Sequence, residues 1–305
     1  MVDPAGSTPR NGAMSQRLLV KRAWARLRTG RLRPGAVARV LALALAVLAG
    51  RAASADGDDA VPVLVYHRFG PTVADAMTVR TATFEAQLAW LRDHGHRVIP
   101  LRALVDWLRG TGPPPPPRAV VLTADDGHRS VASDMFPRLR AAGFPVTLFV
   151  YPSAISNASY ALTWEQLAEM QASGLVEVQS HTYWHPKFTA EKKRLSPEDY
   201  ERFVAMQLGR ARETIAARLG RPVDLLAWPF GIHDRDLEAD AARAGYVAAF
   251  TLERRAVRRN ELLFALPRFL VTDADRGPAF AALLAGGADA RRAHAASSAS
   301  RRPGD

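Results

Sequence analysis

From position 61 onward, short apolar runs rich in β-branched residues alternate with stretches whose apolar positions recur every three or four residues, and the alternation continues to about position 285. The runs occupy 61–66, 97–101, 119–123, 146–151, 176–180, 225–230, 247–252 and 262–270. The helical pattern is clearest at 83–93 (Phe84, Leu88, Leu91), 101–108, 130–142, 164–172, 197–219 and 237–244. Near-continuous apolar runs fit strands covered on both faces, and helices between them make each connection a parallel crossover. Seven or eight such units predict a distorted (β/α) barrel, TIM-like with about seven units and in a single domain, over an open doubly wound sheet. Helical stretches are followed by glycine at Gly95, Gly110, Gly143, Gly174, Gly220 and Gly245, where a left-handed cap ends a helix. Five consecutive prolines, 113–117, predict a stiff spacer between a helix and the next strand.

Composition changes the picture mainly at the ends. The 305 residues carry 41 Lys+Arg against 30 Asp+Glu, a net charge of +11 that by itself would suggest an acidic partner. Ten of the basic residues and one acid fall in 1–55, leaving 31 basic against 29 acidic residues and a net charge of +2 beyond. The body therefore gives no electrostatic reason to bind nucleic acid. The basic stretch leads into an eleven-residue apolar run, 40–50, and then Ala53-Ser54-Ala55. That order predicts a signal peptide over 1–55, cut after Ala55, and an exported protein of the periplasm, cell envelope or exterior. The competing reading, an uncleaved membrane anchor, needs about 20 apolar residues. A single domain is expected over 56–287 and a disordered tail over 288–305, which is rich in Ala, Ser and Arg. With no Cys, thiolate metal sites and cysteine nucleophiles are excluded, so any metal must use His and carboxylates.

In a parallel barrel the active site lies at the carboxyl ends of the strands, and here those ends are rich in reactive groups. The first run ends at Tyr66-His67, the run at 119 in Thr123-Ala-Asp-Asp-Gly127, the run at 176 in Ser180-His-Thr-Tyr-Trp-His185, and the run at 225 in Trp228-Pro-Phe-Gly231. Adjacent carboxylates at Asp125 and Asp126 repel unless a cation or a shared proton offsets them. His181 and His185 offer two neutral nitrogens. With one Asp they make a two-imidazole, one-carboxylate set that leaves a position open, as in catalytic zinc sites. Pro186 biases His185 away from helical angles, which predicts a strand-to-loop turn. Trp184, Tyr183, Trp228 and Phe230 could stack on sugar faces or pack at the barrel rim.

Over roughly 61–285 the chain resembles the polysaccharide deacetylases of carbohydrate esterase family 4, the NodB-homology group. Thr123-Ala-Asp-Asp-Gly127 resembles that family's T-F-D-D-G block, His181-Thr-Tyr-Trp-His185 its H-[ST]-x-x-H block, and Trp228-Pro-Phe-Gly231 its P-[YF]-G block. Val63-Leu-Val-Tyr-His67 and Leu266-Pro-Arg268 further resemble the branch acting on poly-β-1,6-N-acetylglucosamine of biofilm matrix. The resemblance implies Asp126, His181 and His185 as metal ligands, Asp125 as general base, His67 as general acid and an oxyanion donor near Phe230. It implies one divalent ion, with zinc first and cobalt, nickel or iron also suited to the donor set. Two departures stand out: Ala124 replaces a usual Phe and is expected to open space beside the base, and Leu226 stands where many members carry an Arg that steadies it. Arg268 is the expected substitute.

The function expected is an exported, metal-dependent N-deacetylase acting on an acetylated polysaccharide. The alternatives are a peptidoglycan or chitin-oligomer deacetylase, an O-acetyl xylan esterase, or a catalytically weak glycan-binding module. No envelope partner can be read from the residues. A nucleotide enzyme is disfavoured because neither G-x-x-x-x-G-K-[ST] nor G-x-G-x-x-G occurs.

Overall fold

In the computed structural model, residues 60–285 are described. Ten strands follow one another as β1 (Val63–Tyr66), β2 (Arg68–Gly70), β3 (Thr78–Arg80), β4 (Arg97–Val98), β5 (Ala119–Asp125), β6 (Val146–Val150), β7 (Val176–Ser180), β8 (Leu225–Ala227), β9 (Ala248–Phe250) and β10 (Phe269–Leu270). Seven of them form one parallel path in the order β10-β1-β5-β6-β7-β8-β9, with β4 pairing β5 outside it. The path closes on itself. Leu266 bridges Phe250 of β9 in parallel fashion, and three residues on, Phe269 pairs with Leu64 of β1. One returning segment thus seals the expected (β/α) barrel.

Strand alternation sorts the core into two layers. Val63, Val121, Phe149, Leu225, Ala227 and Phe250 pack inside, together with Leu101, Leu104 and Trp107 of the helix Leu101–Leu108. Leu64, Leu122, Ala124, Leu148, Val178 and Leu226 face the outer helices. This placement corrects two sequence expectations. Ala124 points away from the base beside it, and Leu226 faces the helical layer, so the inward position of β8 is Ala227.

Local chemistry explains the helix boundaries. Pro197–Leu219 begins with Ser196 accepting from the Asp199 N–H at 3.2 Å and Pro197 at the first position, and ends at Gly220 with φ 65°. Trp164–Ala172 begins with a reciprocal Thr163–Gln166 capping box. The expected helix at 130–142 is a π-helical turn, Val131–Met135, running into Phe136–Ala142. The β2–β3 pair and the helices Phe188–Arg194 and Pro278–Leu284 are not in the sequence reading, being too short to show a period. The five prolines lie outside helix and strand, between Leu101–Leu108 and β5. The expected signal region 1–55 and tail 288–305 lie outside the described residues. No helix among the described residues is long and apolar enough to cross a membrane.

Candidate metal and catalytic centre

The strand ends that carry the reactive side chains also carry unusual backbone. Six non-glycine residues among those described have φ in the left-handed region, and four of them, Asp126 (71°), Thr182 (63°), His185 (65°) and Phe230 (58°), lie after β5, β7 and β8. Each costs about 1–2 kcal/mol, so the surroundings must hold them. His181 N–H donates to the Val150 carbonyl at 2.8 Å and His185 N–H to Thr182 Oγ1 at 3.2 Å. The side chain of Gln207, fully buried, accepts from the N–H groups of Tyr183 and Trp184 at 3.1 Å each. Gln207 is a positioning residue that the sequence reading missed. Its signal was a polar side chain in the buried register of Pro197–Leu219, beside Phe203, Val204, Leu208 and Ala211. Gly127, at φ 69°, follows Asp126, and a Cβ there would meet Ile155 at 3.0 Å and Val150 at 3.1 Å. Only glycine fits that turn.

Asp126, His181 and His185 converge, with one ligand atom from each within 4.8 Å of the others. Asp126 Oδ1 lies 3.7 Å from His181 Nε2 and 3.6 Å from His185 Nε2. These separations are too long for hydrogen bonds and close to the roughly 3.4 Å between ligand atoms sharing a tetrahedral ion at about 2.1 Å. The Nδ1 of His181 donates to the Ala227 carbonyl at 2.8 Å, which leaves the Nε2 lone pair toward Asp126, the arrangement that orients a metal-bound histidine. Burial holds the His185 imidazole down at about 4, so it offers a lone pair at neutral pH. The residues fit a divalent ion.

Asp125 is 2% exposed and lies 3.9 Å from His181 Nε2, but both its oxygens are engaged elsewhere. Arg268 donates from Nη1 to Oδ1 at 2.8 Å and from Nη2 to Oδ2 at 2.7 Å. The guanidinium is fully buried, bonds the Thr251 carbonyl at 3.1 Å and Thr123 Oγ1 at 3.3 Å, and lies over the Phe149 ring. Burial pushes the Asp125 carboxyl up, but the Arg268 charge and its paired bonds bring it to about 2. The Asp125 charge is therefore offset by arginine, and the Asp126 charge is left to the histidines and whatever they bind.

His67, 9% exposed, directly follows β1 within reach of these charges. Burial lowers its pKa, while Asp125 and Asp126 pull it up. Its Nδ1 has no hydrogen-bond partner among the described residues. Phe230 is 56% exposed with its ring 4.6 Å from that of His185, and Trp184 is 46% exposed over Phe203. Tyr183 is half-buried, with the Arg210 guanidinium 4.3 Å over its ring. Trp228 departs from the expectation of a sugar-stacking residue. It is fully buried, its Nε1 donates to the Phe264 carbonyl at 2.9 Å, and its ring packs edge-on to Phe188, so it shapes the β8 turn from beneath.

Residues 112–249 match the family described as polysaccharide deacetylase. That span holds Asp125, Asp126, His181, His185 and Phe230, while His67 and Arg268 flank it. The chain is 26% identical over 244 residues to the poly-beta-1,6-N-acetyl-D-glucosamine N-deacetylase of Escherichia coli (strain K12), covering 68% of this chain and 36% of that enzyme. It thus spans about a third of that relative's length. An enzyme of the same name from Staphylococcus aureus (strain MRSA252) is 23% identical over 200 residues, 64% of this chain and 68% of that one. Among solved structures, IcaB from Ammonifex degensii matches with a TM-score of 0.67 at 29% identity, over 75% of this chain and 98% of that one.

Proposed function

The chain carries a polysaccharide deacetylase domain and is a hydrolase of carbon–nitrogen bonds other than peptide bonds, and from that premise we propose an exported, metal-dependent enzyme that removes acetyl groups from poly-β-1,6-N-acetylglucosamine. The observation that carries the reading is Arg268 gripping Asp125 with both nitrogens from the last segment of the barrel. Together with His67 from the first strand, it supplies base support and acid from outside the central motif block. The two curated relatives named for that polymer support the substrate.

Asp126, His181 and His185 are the residues to hold the ion. A divalent cation there supplies Lewis acidity that acidifies water and polarises a carbonyl. Asp125, ionised and fixed in orientation by Arg268, takes the proton of the attacking water. The N–H of Phe230 is assigned to the developing oxyanion. His67 gives a proton to the departing sugar amine, which is too poor a leaving group as an anion. The exposed rings of Trp184 and Phe230, with Tyr183 beside them, border the entry and suit the apolar faces of a sugar.

The test is acetate release by purified 56–305 from poly-β-1,6-N-acetylglucosamine, chitin oligomers, peptidoglycan and acetylated xylan. The first polymer is expected to be deacetylated fastest, chelation to abolish acetate release, and zinc, cobalt or nickel to restore it. Preferential release from xylan would replace the reading with an O-acetyl esterase, and binding without release would make it a glycan-binding module. Export is tested on the native host's protein by mass spectrometry, with Asp56 expected as the first residue. Membrane-bound protein that keeps the apolar run 40–50 would favour an anchor instead.

A further inference from the structure

We propose that Tyr246 is a positioning residue for the two histidines of the candidate metal centre, acting through a buried hydroxyl relay with Ser180. This rests on the reading of Asp126, His181 and His185 as metal ligands and adds what keeps the segment between the histidines in shape. That segment lies outside helix and strand. β7 ends at Ser180, whose pairing with Leu226 is the one registered position between β7 and β8 among the described residues. Thr182 and His185 then take left-handed backbone angles. The N–H groups of Thr182, Tyr183, Trp184 and His185 all donate to side-chain oxygens: Thr182 to Ser180 Oγ at 3.3 Å, Tyr183 and Trp184 to Gln207, and His185 to Thr182 Oγ1. The spacing of the two imidazoles therefore depends on where Ser180 and Gln207 are held.

Ser180 needs an outside partner, and Tyr246 supplies it. Both residues are buried. The Tyr246 hydroxyl lies 2.8 Å from Ser180 Oγ and 3.0 Å from the Leu208 carbonyl. A carbonyl can only accept, and a phenol has one proton to give. All three groups are satisfied when Tyr246 donates to Leu208 and Ser180 donates to Tyr246, which leaves a Ser180 lone pair for the Thr182 N–H. Leu208 follows Gln207 in the helix Pro197–Leu219, so adjacent residues of one helix anchor the start and the middle of the segment. Tyr246 is itself placed by the turn after the helix Arg235–Arg243. Its N–H donates to the Ala241 carbonyl at 3.0 Å. Gly245, at φ 90°, lets the chain pass the Arg212 guanidinium, which a Cβ would meet at 3.2 Å. A phenylalanine at 246 would keep the ring and remove the hydroxyl, leaving the buried Ser180 donor without this acceptor.

The test uses Tyr246→Phe, Ser180→Ala and the two combined, with thermal melts reporting that each variant is folded. The readouts are the affinity for Co²⁺ by titration and the visible absorption of the bound ion, which follows its ligand geometry. Each single variant is expected to bind Co²⁺ about tenfold more weakly than native protein, the lower end of the range for groups that orient metal ligands, with shifted absorption bands. The double variant is expected to bind no more weakly than the weaker single one, because both side chains act through one relay, whereas two independent packing defects would multiply. Native affinity and spectrum in either folded single variant, or losses that multiply in the double one, would overturn the proposal. Should the native protein bind no Co²⁺, the metal-ligand reading fails first. Amide hydrogen exchange at Thr182 and His185 then decides the relay separately, faster exchange in Tyr246→Phe or Ser180→Ala supporting it and native rates overturning it.

Discussion

Replacing Arg268 by methionine is expected to destabilise the protein by about 3–5 kcal/mol at neutral pH, because it leaves a buried carboxylate without its countercharge. The side chain is fully buried and makes four hydrogen bonds, two of them to Asp125. The pH dependence should reverse sign. In the native protein the Asp125 carboxyl titrates at about 2, below its unfolded value, so its stabilising contribution is complete above about pH 4 and lost as pH falls through about 2. Without Arg268, burial dominates and the carboxyl titrates above its unfolded value. Asp125 then destabilises the folded state at neutral pH, and that penalty shrinks as pH falls. Activity follows the same logic, since a base must be ionised. The variant's acid limb should lie at higher pH than that of the native protein, with turnover partly restored as pH rises. Thermal melts and pH–rate profiles check both. A variant melting within a degree or two of native protein, with an unshifted acid limb, would mean that Arg268 neither stabilises nor tunes Asp125. Arg268→Lys is a useful companion. It keeps the charge but loses the fork, so it should recover stability better than orientation of the base.

Residues at strand ends were legible because a parallel barrel exposes one end of every strand, and the apolar runs located those ends closely enough to bring His67, Asp125, Asp126, His181 and His185 forward. Facing was harder to read. Ala124 and Leu226 sit in strands buried on both faces, where an apolar residue looks the same whether it points in or out, and only the pairing register settles that Thr123, Asp125 and Ala227 are the inward ones. Trp228 shows the same ambiguity one residue past a strand. It follows β8 directly, and Pro229 turns the chain so that Phe230, and not Trp228, reaches solvent. Gln207 was invisible for a different reason. Its role depends on a loop 22 to 25 residues earlier lying across its helix, a tertiary fact with only a buried-register glutamine as its trace. The grip of Arg268 on Asp125 depends on ring closure through Leu266, which no local pattern encodes.

His67→Ala and Asp125→Asn are expected to fail in different ways, and the difference assigns their roles. Both residues lie beside the Asp126, His181 and His185 set without belonging to it, so both variants should retain metal by elemental analysis. Asp125→Asn keeps the shape but removes the proton acceptor, and it also asks Arg268 to bond a neutral amide. Water is then no better a nucleophile toward one acetyl group than another. Hydrolysis of acetamide sugars and of an activated acetate ester should therefore fall together, by about 10² to 10⁴. His67→Ala leaves water activation in place and removes the proton destined for the leaving group. An activated ester departs as a stable anion and needs no such proton, whereas a sugar amine cannot leave without one. The amide rate should fall by about 10² to 10⁴ while the ester rate changes little. The imidazole of His67 is nearly enclosed and close enough to Asp125 and Asp126 for both carboxylates to pull its pKa up against the effect of burial. An amide-to-ester ratio in His67→Ala equal to the native ratio would make His67 a structural residue. The acid would then have to be sought at His128, two residues past Asp126 and within reach of its charge.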